Sequence, residues 1–492
     1  MAHYSYDRLT ALDTSFLILE KPNGYTHVAS TQIFDAGPLR TEDGGIDYEA
    51  IRKAHAAVLH RIPRYRQVLR YVPFEAHPVW VDDHDFDLDY HLRHTSLPRP
   101  GSDAQLKRLS ARIMQQHLDR ARPLWETWVV EGLEGGRFAL ITKVHHCMID
   151  GVSGVDLLQI LLSPDPQAQL EPPPAWIPRP VPSRVQLLRD EIVRRMRLPF
   201  EALRDVTAFV RDAEDVGRAL RVRARAVRET LGETLRSASE TPINRRIGPH
   251  RRFDWFTSEI SEIKAIRDQL GGSLNDVVLT IVTGAFRRFF QERGVDVSEL
   301  DFRVLAPVSV RSESERGALG NRVSAWVIQL PLSARDPRAQ LAAIVTRTAA
   351  LKESKRAVGA EVLTRVAEWT PTTLLSLGAR NSSRLLPFNT VVTNVPGPRI
   401  PMYLRGARLV EAYPHVPLVD NMGLGIALLS CEGRLHWGIN ADYDLVPDLS
   451  DFVTALQDSF HELAKLARQS GPAPGRAPRR NGGIPAPDGA IA

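Results

Sequence analysis

Cysteine is scarce: the 492 residues hold only Cys147 and Cys431. Two thiols cannot build a disulfide framework, and a reducing compartment is expected. No stretch stays apolar long enough to span a bilayer. The first residues, Met1-Ala2-His3-Tyr4-Ser5-Tyr6-Asp7, lack the charged-then-apolar build of a signal peptide. These absences point to a cytoplasmic protein that touches a membrane, if at all, from one side. Neither zinc-finger nor RRM spacing is present, so no nucleic-acid partner is expected. Lys is rare beside Arg, 8 against 55, and nothing about function follows from that ratio.

What is present reads as a soluble globular chain, 43% hydrophobic and 25% charged. The length exceeds one ordinary core, so two domains are expected. In the first half, apolar spacing and flanking breakers predict strands at His27–Asp35, Gln67–Val72, Val79–Val81, Thr127–Val130 and Arg137–His145. Helices fit Tyr48–Leu59, Ala104–His117 and Gly154–Leu162. In the second half, strands fit Arg252–Thr257, Arg303–Val310, Val323–Leu330, Thr390–Asn394, Gly423–Leu429 and Arg434–Ile439. Its helices fit Ile260–Gln269, Asn275–Gln291, Pro337–Ala350, Ala360–Leu374 and Leu449–Ala467. The alternation is irregular, which favours α/β halves with mixed sheets over a doubly wound fold. The expected division is 1–170 and 252–468 for the two halves, 171–251 for a connection, and 469–492 for a disordered tail rich in Gly and Pro.

The connection is unusual. Pro172-Pro173-Pro174, Pro178, Pro180 and Pro182 mark a linker. From Arg184 to Arg252 there are 17 Arg against 10 acidic residues, although the whole chain carries a net charge of only +5. Val185, Leu188, Ile192 and Met196 fall on one helical stripe, with Arg184, Arg189, Arg194, Arg195 and Arg197 elsewhere. Such a helix can lie on an anionic membrane or lipid-droplet surface. It can equally pack its stripe on a domain and keep its Arg in water.

The most informative run is His145-His146-Cys147-Met148-Ile149-Asp150-Gly151, an HHxxxDG pattern after an apolar strand and before a helix. Successive residues in an extended segment face opposite ways, so the two imidazoles cannot share a cavity. One is the working base and the other is held in the wall. His146, facing a cleft, can take the proton of a hydroxyl as its oxygen attacks a carbonyl. A thioester carbonyl needs no enzyme nucleophile, but the tetrahedral intermediate needs an oxyanion donor. Asp150 would orient the loop, with Arg66 as a candidate ion-pair partner. The rival readings are a satisfied core His pair, a metal site without a third spaced ligand, and Cys147 as nucleophile rather than buried wall. No metal is expected.

HHxxxDG resembles the active-site signature of CoA-dependent acyltransferases of the chloramphenicol acetyltransferase and peptide-synthetase condensation type. Further runs narrow the resemblance to bacterial wax ester synthase/diacylglycerol acyltransferases. They are Leu12-Asp13-Thr14-Ser15-Phe16, Pro123-Leu124-Trp125-Glu126, Leu274-Asn275-Asp276-Val277-Val278-Leu279, Gly320-Asn321-Arg322, Asn394-Val395-Pro396-Gly397-Pro398 and Ala441-Asp442-Tyr443 with Pro447-Asp448. They stand in family order from about residue 5 to about residue 465, leaving only the tail outside.

The resemblance implies two similar chloramphenicol-acetyltransferase-like subdomains with an active-site channel between them. It implies acyl-CoA as co-substrate, no bound cofactor, and diacylglycerol or a long-chain alcohol as acceptor. His146 matches the family's base, His145 its partner and Asp150 its structural acid, with Gly151 completing the motif. Asn275 and Asp276 match the ND motif. At a helix start, Asn275 can face an oxyanion or merely cap, and Asp276 supports the start electrostatically. Pro123, Leu124 and Trp125 read as apolar lining or core. Asn394 and Pro396 sit in a stiff turn shaping the channel, Asn394 being an alternative oxyanion donor. Two other readings stand beside this one: a condensation-type enzyme with another acceptor, and a non-catalytic droplet-binding protein.

Overall fold

The computed structural model describes residues 5–74, 77–148, 154–194, 196, 238–309, 323–357 and 387–469. The strands are β1 (Asp7–Arg8), β2 (His27–Asp35), β3 (Gln67–Tyr71), β4 (Pro78–Asp82), β5 (Leu92–Ser96), β6 (Trp125–Leu133) and β7 (Arg137–His145) in the first half. The second half supplies β8 (Arg251–Glu259), β9 (Arg303–Ser309), β10 (Val323–Gln329), β11 (Thr390–Pro396), β12 (Tyr403–Leu404), β13 (Ala407–His415), β14 (Leu424–Cys431) and β15 (Arg434–Asp442).

They form two six-stranded sheets, ordered β12-β13-β2-β7-β6-β5 and β10-β9-β11-β14-β15-β8, and a small sheet β1-β4-β3. Both large sheets are mixed, as expected. The β5–β6 pair and the β11 pairs with β9 and β14 are parallel, and the other pairs are antiparallel. Strands β12 and β13 follow most of the second half in sequence yet complete the first sheet against β2. The segment 252–468 therefore feeds both sheets, and the chain links its halves through backbone hydrogen bonds rather than side-chain contact alone.

The strand that leads to the histidine pair is buried on both faces. Phe138, Ala139, Leu140, Ile141 and Val144 are all buried, which explains why this run is almost continuously apolar rather than alternating. One face, with Phe138, Leu140 and Val144, meets the main apolar core of the first half. The other meets the Asp103–Met114 helix and, across it, Phe253, Trp255 and Tyr413. In the second half the core wraps the Leu274–Glu292 helix, which buries Val277, Val278, Leu279, Ile281, Val282, Phe286, Phe289 and Phe290. Each such side chain contributes about 1.5–3 kcal/mol on removal from water, enough to hold the N-terminus of that helix at a fixed place.

The linker doubles back on the first half. Arg179 grips Asp82, its backbone N–H and its guanidinium both donating to the carboxylate at 2.9 and 3.0 Å. Residues 184–194 are helical and dock on the small sheet, Leu187 joining Tyr6, Val72, Val79 and Val81. The buried Glu191 carboxylate is paired with Arg8 and Arg194. The stripe read from the sequence points the other way: Val185 is 76% exposed, Ile192 49% and Met196 61%. Residues 195 and 197–237 of the basic connection, the Ala360–Leu374 helix and residues 470–492 of the tail lie outside the described residues. Among the described residues no helix is long and apolar enough to cross a membrane.

Strands β5, β12 and β13 of the first sheet and the Ala11–Leu19 helix beside it were not anticipated. The Ala11–Leu19 helix is started by Thr10, whose hydroxyl accepts from Asp13 N at 3.1 Å. It carries the Leu12-Asp13-Thr14-Ser15-Phe16 run over the end of β7. Strand β13 pairs with a partner far away in sequence, a relationship no local pattern records.

Candidate active site

Strand β7 ends at His145, directly opposite His27 of β2. Its backbone N–H donates to Leu124 O at 2.9 Å, and the next N–H, that of His146, donates to Thr26 O at 2.9 Å. The chain then enters a 3-10 turn at His146–Met148. The two imidazoles diverge as expected, but for a different reason. They are not neighbours in one strand; the turn swings His146 out of the sheet.

His145 is held in the wall. Its Nδ1 accepts from Cys147 N at 3.1 Å, so that nitrogen carries no proton and the ring hydrogen sits on Nε2. Nε2 lies 3.0 Å from Glu20 Oε1 and 3.2 Å from Thr26 Oγ1. The Thr26 hydroxyl hydrogen is committed to Phe16 O at 3.1 Å, leaving Oγ1 free to accept. Glu20 also receives Arg120 Nη2 at 2.6 Å and Thr26 N at 3.0 Å. Burial works against ionisation of Glu20, but the hydrogen bonds from His145 and Arg120 outweigh it and hold its carboxyl well below the usual range. Burial, reinforced by Lys143 and His145, pushes His27 well below an ordinary imidazole.

Glu20, His27 and His145 bring donor atoms within 4.8 Å of one another, the spacing a metal would need. The donor set fits poorly. Arg120 already supplies the positive charge at the carboxylate, and the proton on His145 Nε2 occupies the lone pair a metal would take. The trio reads as a hydrogen-bonded support.

His146 is different. Its ring stacks on Phe16, with centroids 3.9 Å apart and planes 22° apart. Its Nδ1 is buried without a partner from another residue, which leaves Nε2 as the nitrogen a substrate can reach. Burial, with a lesser push from His145, lowers its pKa to about 4, so the imidazole is unprotonated at neutral pH. Cys147 is a buried thiol pushed well above its ordinary value by burial, which suits wall and not nucleophile.

The second half contributes the start of the Leu274–Glu292 helix. Gly271 and Gly272 have φ of +93° and +84°, and a Cβ on Gly272 would press within 2.9 Å of Val345, so the turn into the helix requires glycine. Ser273 and Asp276 form a capping box. Asp276 accepts from Ser273 N at 2.7 Å and Oγ at 2.6 Å, and from Thr348 Oγ1 at 2.8 Å. These bonds engage both of its oxygens in holding the helix start. Its neighbour Asn275 is half-buried and accepts from Asn394 Nδ2 at 3.4 Å. The Asn275 amide nitrogen donates to no partner among the described residues. Asn394 lies on β11 just before the turn of Pro396, which is exposed, and Gly397. A Cβ on Gly397 would stand 2.3 Å from Ser430 O, which explains the glycine there.

Pro123 and Leu124 are buried, and Leu124 holds the His145 backbone. Trp125 is 1% exposed, stacked between Tyr65 and His91, with its indole N–H donating to Tyr65 O at 2.9 Å. It supports the wall from behind. Asp150 and Gly151 lie outside the described residues, and so does the pairing expected between Asp150 and Arg66. Arg66 itself lies over Trp176, 4.5 Å from the ring centroid. Glu20, His27, Arg120 and Phe16 as site residues were missed by sequence reasoning. Only Phe16 carried a signal, through its run in the first helix.

The two halves converge here. Cys147 and Met148 of the turn share one apolar cluster with Leu429 and Cys431 of β14, and Val395 beside Asn394 packs on it. The His146–Met148 turn and the strand that carries Asn394 therefore pack on one apolar cluster.

Comparison with known proteins speaks to the family and the fold. The catalytic-domain model of wax ester synthase/diacylglycerol acyltransferases matches residues 9–278, and the family's C-terminal domain model matches residues 319–464. A probable diacylglycerol O-acyltransferase of Mycobacterium tuberculosis (strain CDC 1551 / Oshkosh) is 31% identical over 467 residues, 94% of this chain and 97% of that protein. A putative diacylglycerol O-acyltransferase of strain ATCC 25618 / H37Rv is 32% identical over 484 residues, 94% of this chain and 91% of that one. The solved wax ester synthase/diacylglycerol acyltransferase of Marinobacter aquaeolei VT8 superposes with a TM-score of 0.68 at 24% identity, covering 94% of this chain and 100% of that one. A starter condensation domain of rhizomide synthetase, in complex with C8-CoA and Leu-SNAC, gives a TM-score of 0.56 at 14% identity, covering 95% and 96%. At these identities the structural likeness speaks to the fold. The chain belongs to the wax ester synthase/diacylglycerol acyltransferase family.

Proposed function

We propose that the chain transfers a fatty acyl group from acyl-CoA to the hydroxyl of diacylglycerol, giving triacylglycerol and free CoA, with long-chain alcohols as further acceptors. The observation that carries the reading is His146: an unprotonated imidazole stacked on Phe16, its Nδ1 buried and its Nε2 left for a substrate. Nε2 takes the acceptor's hydroxyl proton as the oxygen attacks the thioester carbon. The oxyanion that forms is stabilised by the Asn275 amide, positioned through Asn394. Collapse breaks the carbon–sulfur bond, and the proton returns from Nε2 to the departing thiolate. The enzyme forms no covalent intermediate. His145 steadies the turn, and Asp150 stands where the family places its structural acid. Acyl-CoA and the apolar acceptor would meet in a channel along the seam between the halves. The test is CoA release from palmitoyl-CoA with each acceptor, in wild type and His146→Ala.

The exposed stripe of Val185, Ile192 and Met196 supports peripheral contact with an anionic membrane or lipid droplet. The helix is already anchored by Leu187 and Glu191 on its opposite side, so the stripe is free for a lipid surface, with Arg184 and Arg189 exposed beside it.

A further inference from the structure

Glu20 touches both backbone N–H groups that fix the catalytic turn, each through one intermediary. On one side its Oε1 faces His145 Nε2 at 3.0 Å, and His145 Nδ1 accepts from Cys147 N at 3.1 Å. On the other side its Oε1 accepts from Thr26 N at 3.0 Å, and Thr26 O accepts from His146 N at 2.9 Å. Thr26 also donates to Phe16 O, the residue stacked on His146. Resting on the reading of His146 as the base, we propose that Glu20 is the positioning residue that selects the His145 tautomer and so sets where His146 points.

The reason is the direction of the donors. A carboxylate facing Nε2 requires a hydrogen there. With that hydrogen in place, Nδ1 has a lone pair to offer the Cys147 N–H. In the other tautomer two N–H groups would oppose each other at Cys147, and Glu20 would face a bare lone pair; both contacts would turn repulsive. Arg120, 2.6 Å from Oε2, keeps the carboxylate ionised and oriented. His27, 3.7 Å from Oε1, closes the same space from β2. Glu20 does not touch the cleft in this arrangement. It acts through His145 and Thr26.

The test uses the full-length protein with Glu20→Gln, Glu20→Ala, His145→Ala and the Glu20→Ala/His145→Ala double variant. Glu20→Gln keeps the shape but has one acceptor oxygen for the three donors. Both single Glu20 variants are expected to lower kcat by about tenfold or more, while KM for palmitoyl-CoA stays within about twofold. In the double variant the losses should combine to less than the product of the two single losses, because only the Thr26 path is left for Glu20 once His145 is gone. Nitrogen-15 spectra of the histidine rings should show His145 leaving the Nε2–H form in Glu20→Gln. Losses that multiply in the double variant, or an unchanged His145 tautomer in Glu20→Gln, would overturn the proposal. The spectra read the tautomer in folded protein, so a Glu20→Ala that fails to fold leaves the test standing on Glu20→Gln. If His146→Ala proved fully active, the base assignment would fall while the tautomer result would still stand.

Discussion

Phe16 stacks on His146 at a ring separation of 3.9 Å, so a helix near the start of the chain fixes the plane of the imidazole proposed as the base. Such a contact contributes about 0.5–1.5 kcal/mol beyond the area it buries. It also keeps water off the ring. Phe16→Ala should therefore lower kcat and let the His146 pKa climb from about 4 toward an ordinary imidazole. The acid limb of the kcat/KM profile should move to higher pH. An unchanged limb would show that Phe16 does not control the ring's surroundings.

Several buried histidines make acid stability a second readout. His55, His77 and His436 are lowered to about 4, and His415 to about 3, each mainly by burial. Each is unprotonated in the fold and takes up a proton on unfolding anywhere between its folded value and the ordinary 6.5. The unfolded chain binds more protons in that window, so stability is fully present above it and falls as pH drops through it. Each group contributes a slope of about 1.4 kcal/mol per pH unit. Urea midpoints should be level near neutrality and fall steeply below about pH 6. A flat profile down to about pH 4.5 would contradict the burial of these rings.

Asn275 and Asp276 are neighbours with different work, and their variants should separate. Asp276→Ala removes the acceptor for Ser273 and Thr348 and should cost about 2 kcal/mol of stability. Asn275→Ala should change stability by less than about 1 kcal/mol and lower kcat by about 100-fold, the scale of a lost oxyanion donor. Denaturant midpoints and single-turnover rates on both variants decide the matter. Equal stability losses with equal activity would remove Asn275 from the chemistry.

The exposed stripe of Val185, Ile192 and Met196, if it meets a lipid surface as proposed, predicts salt-sensitive binding. Wild type should sediment with phosphatidylglycerol vesicles at low salt and be released as the screening length shrinks from about 10 Å at 0.1 M to about 3 Å at 1 M. Val185→Asp with Ile192→Asp should weaken binding while leaving turnover of dispersed substrates unchanged. Binding that ignores both salt and the substitutions would point to another surface.

The sequence declared its local structure well and its long-range structure poorly. The strand Arg137–His145 was legible because both its faces are buried, giving a continuous apolar run with a clear end. The helix start at Leu274 was legible from two glycines, a serine cap and Asp276. Strand β13 was not, because its partner β2 lies in the other half and pairing across such a distance leaves no period in the chain. Glu20 was invisible for the same reason. A glutamate followed by Lys21 and Pro22 at a helix end looks like any surface terminus until Thr26, Arg120 and His145 close around it. Trp125 was legible as apolar, yet only packing shows that it stands behind the wall.

The most direct measurement is CoA release from palmitoyl-CoA with diacylglycerol and with hexadecanol, in wild type and His146→Ala. The account predicts acceptor-dependent release in wild type that is lost in the variant, with diacylglycerol the better acceptor. Release that survives in His146→Ala would contradict the assigned base, and no release with either alcohol would contradict the proposed reaction.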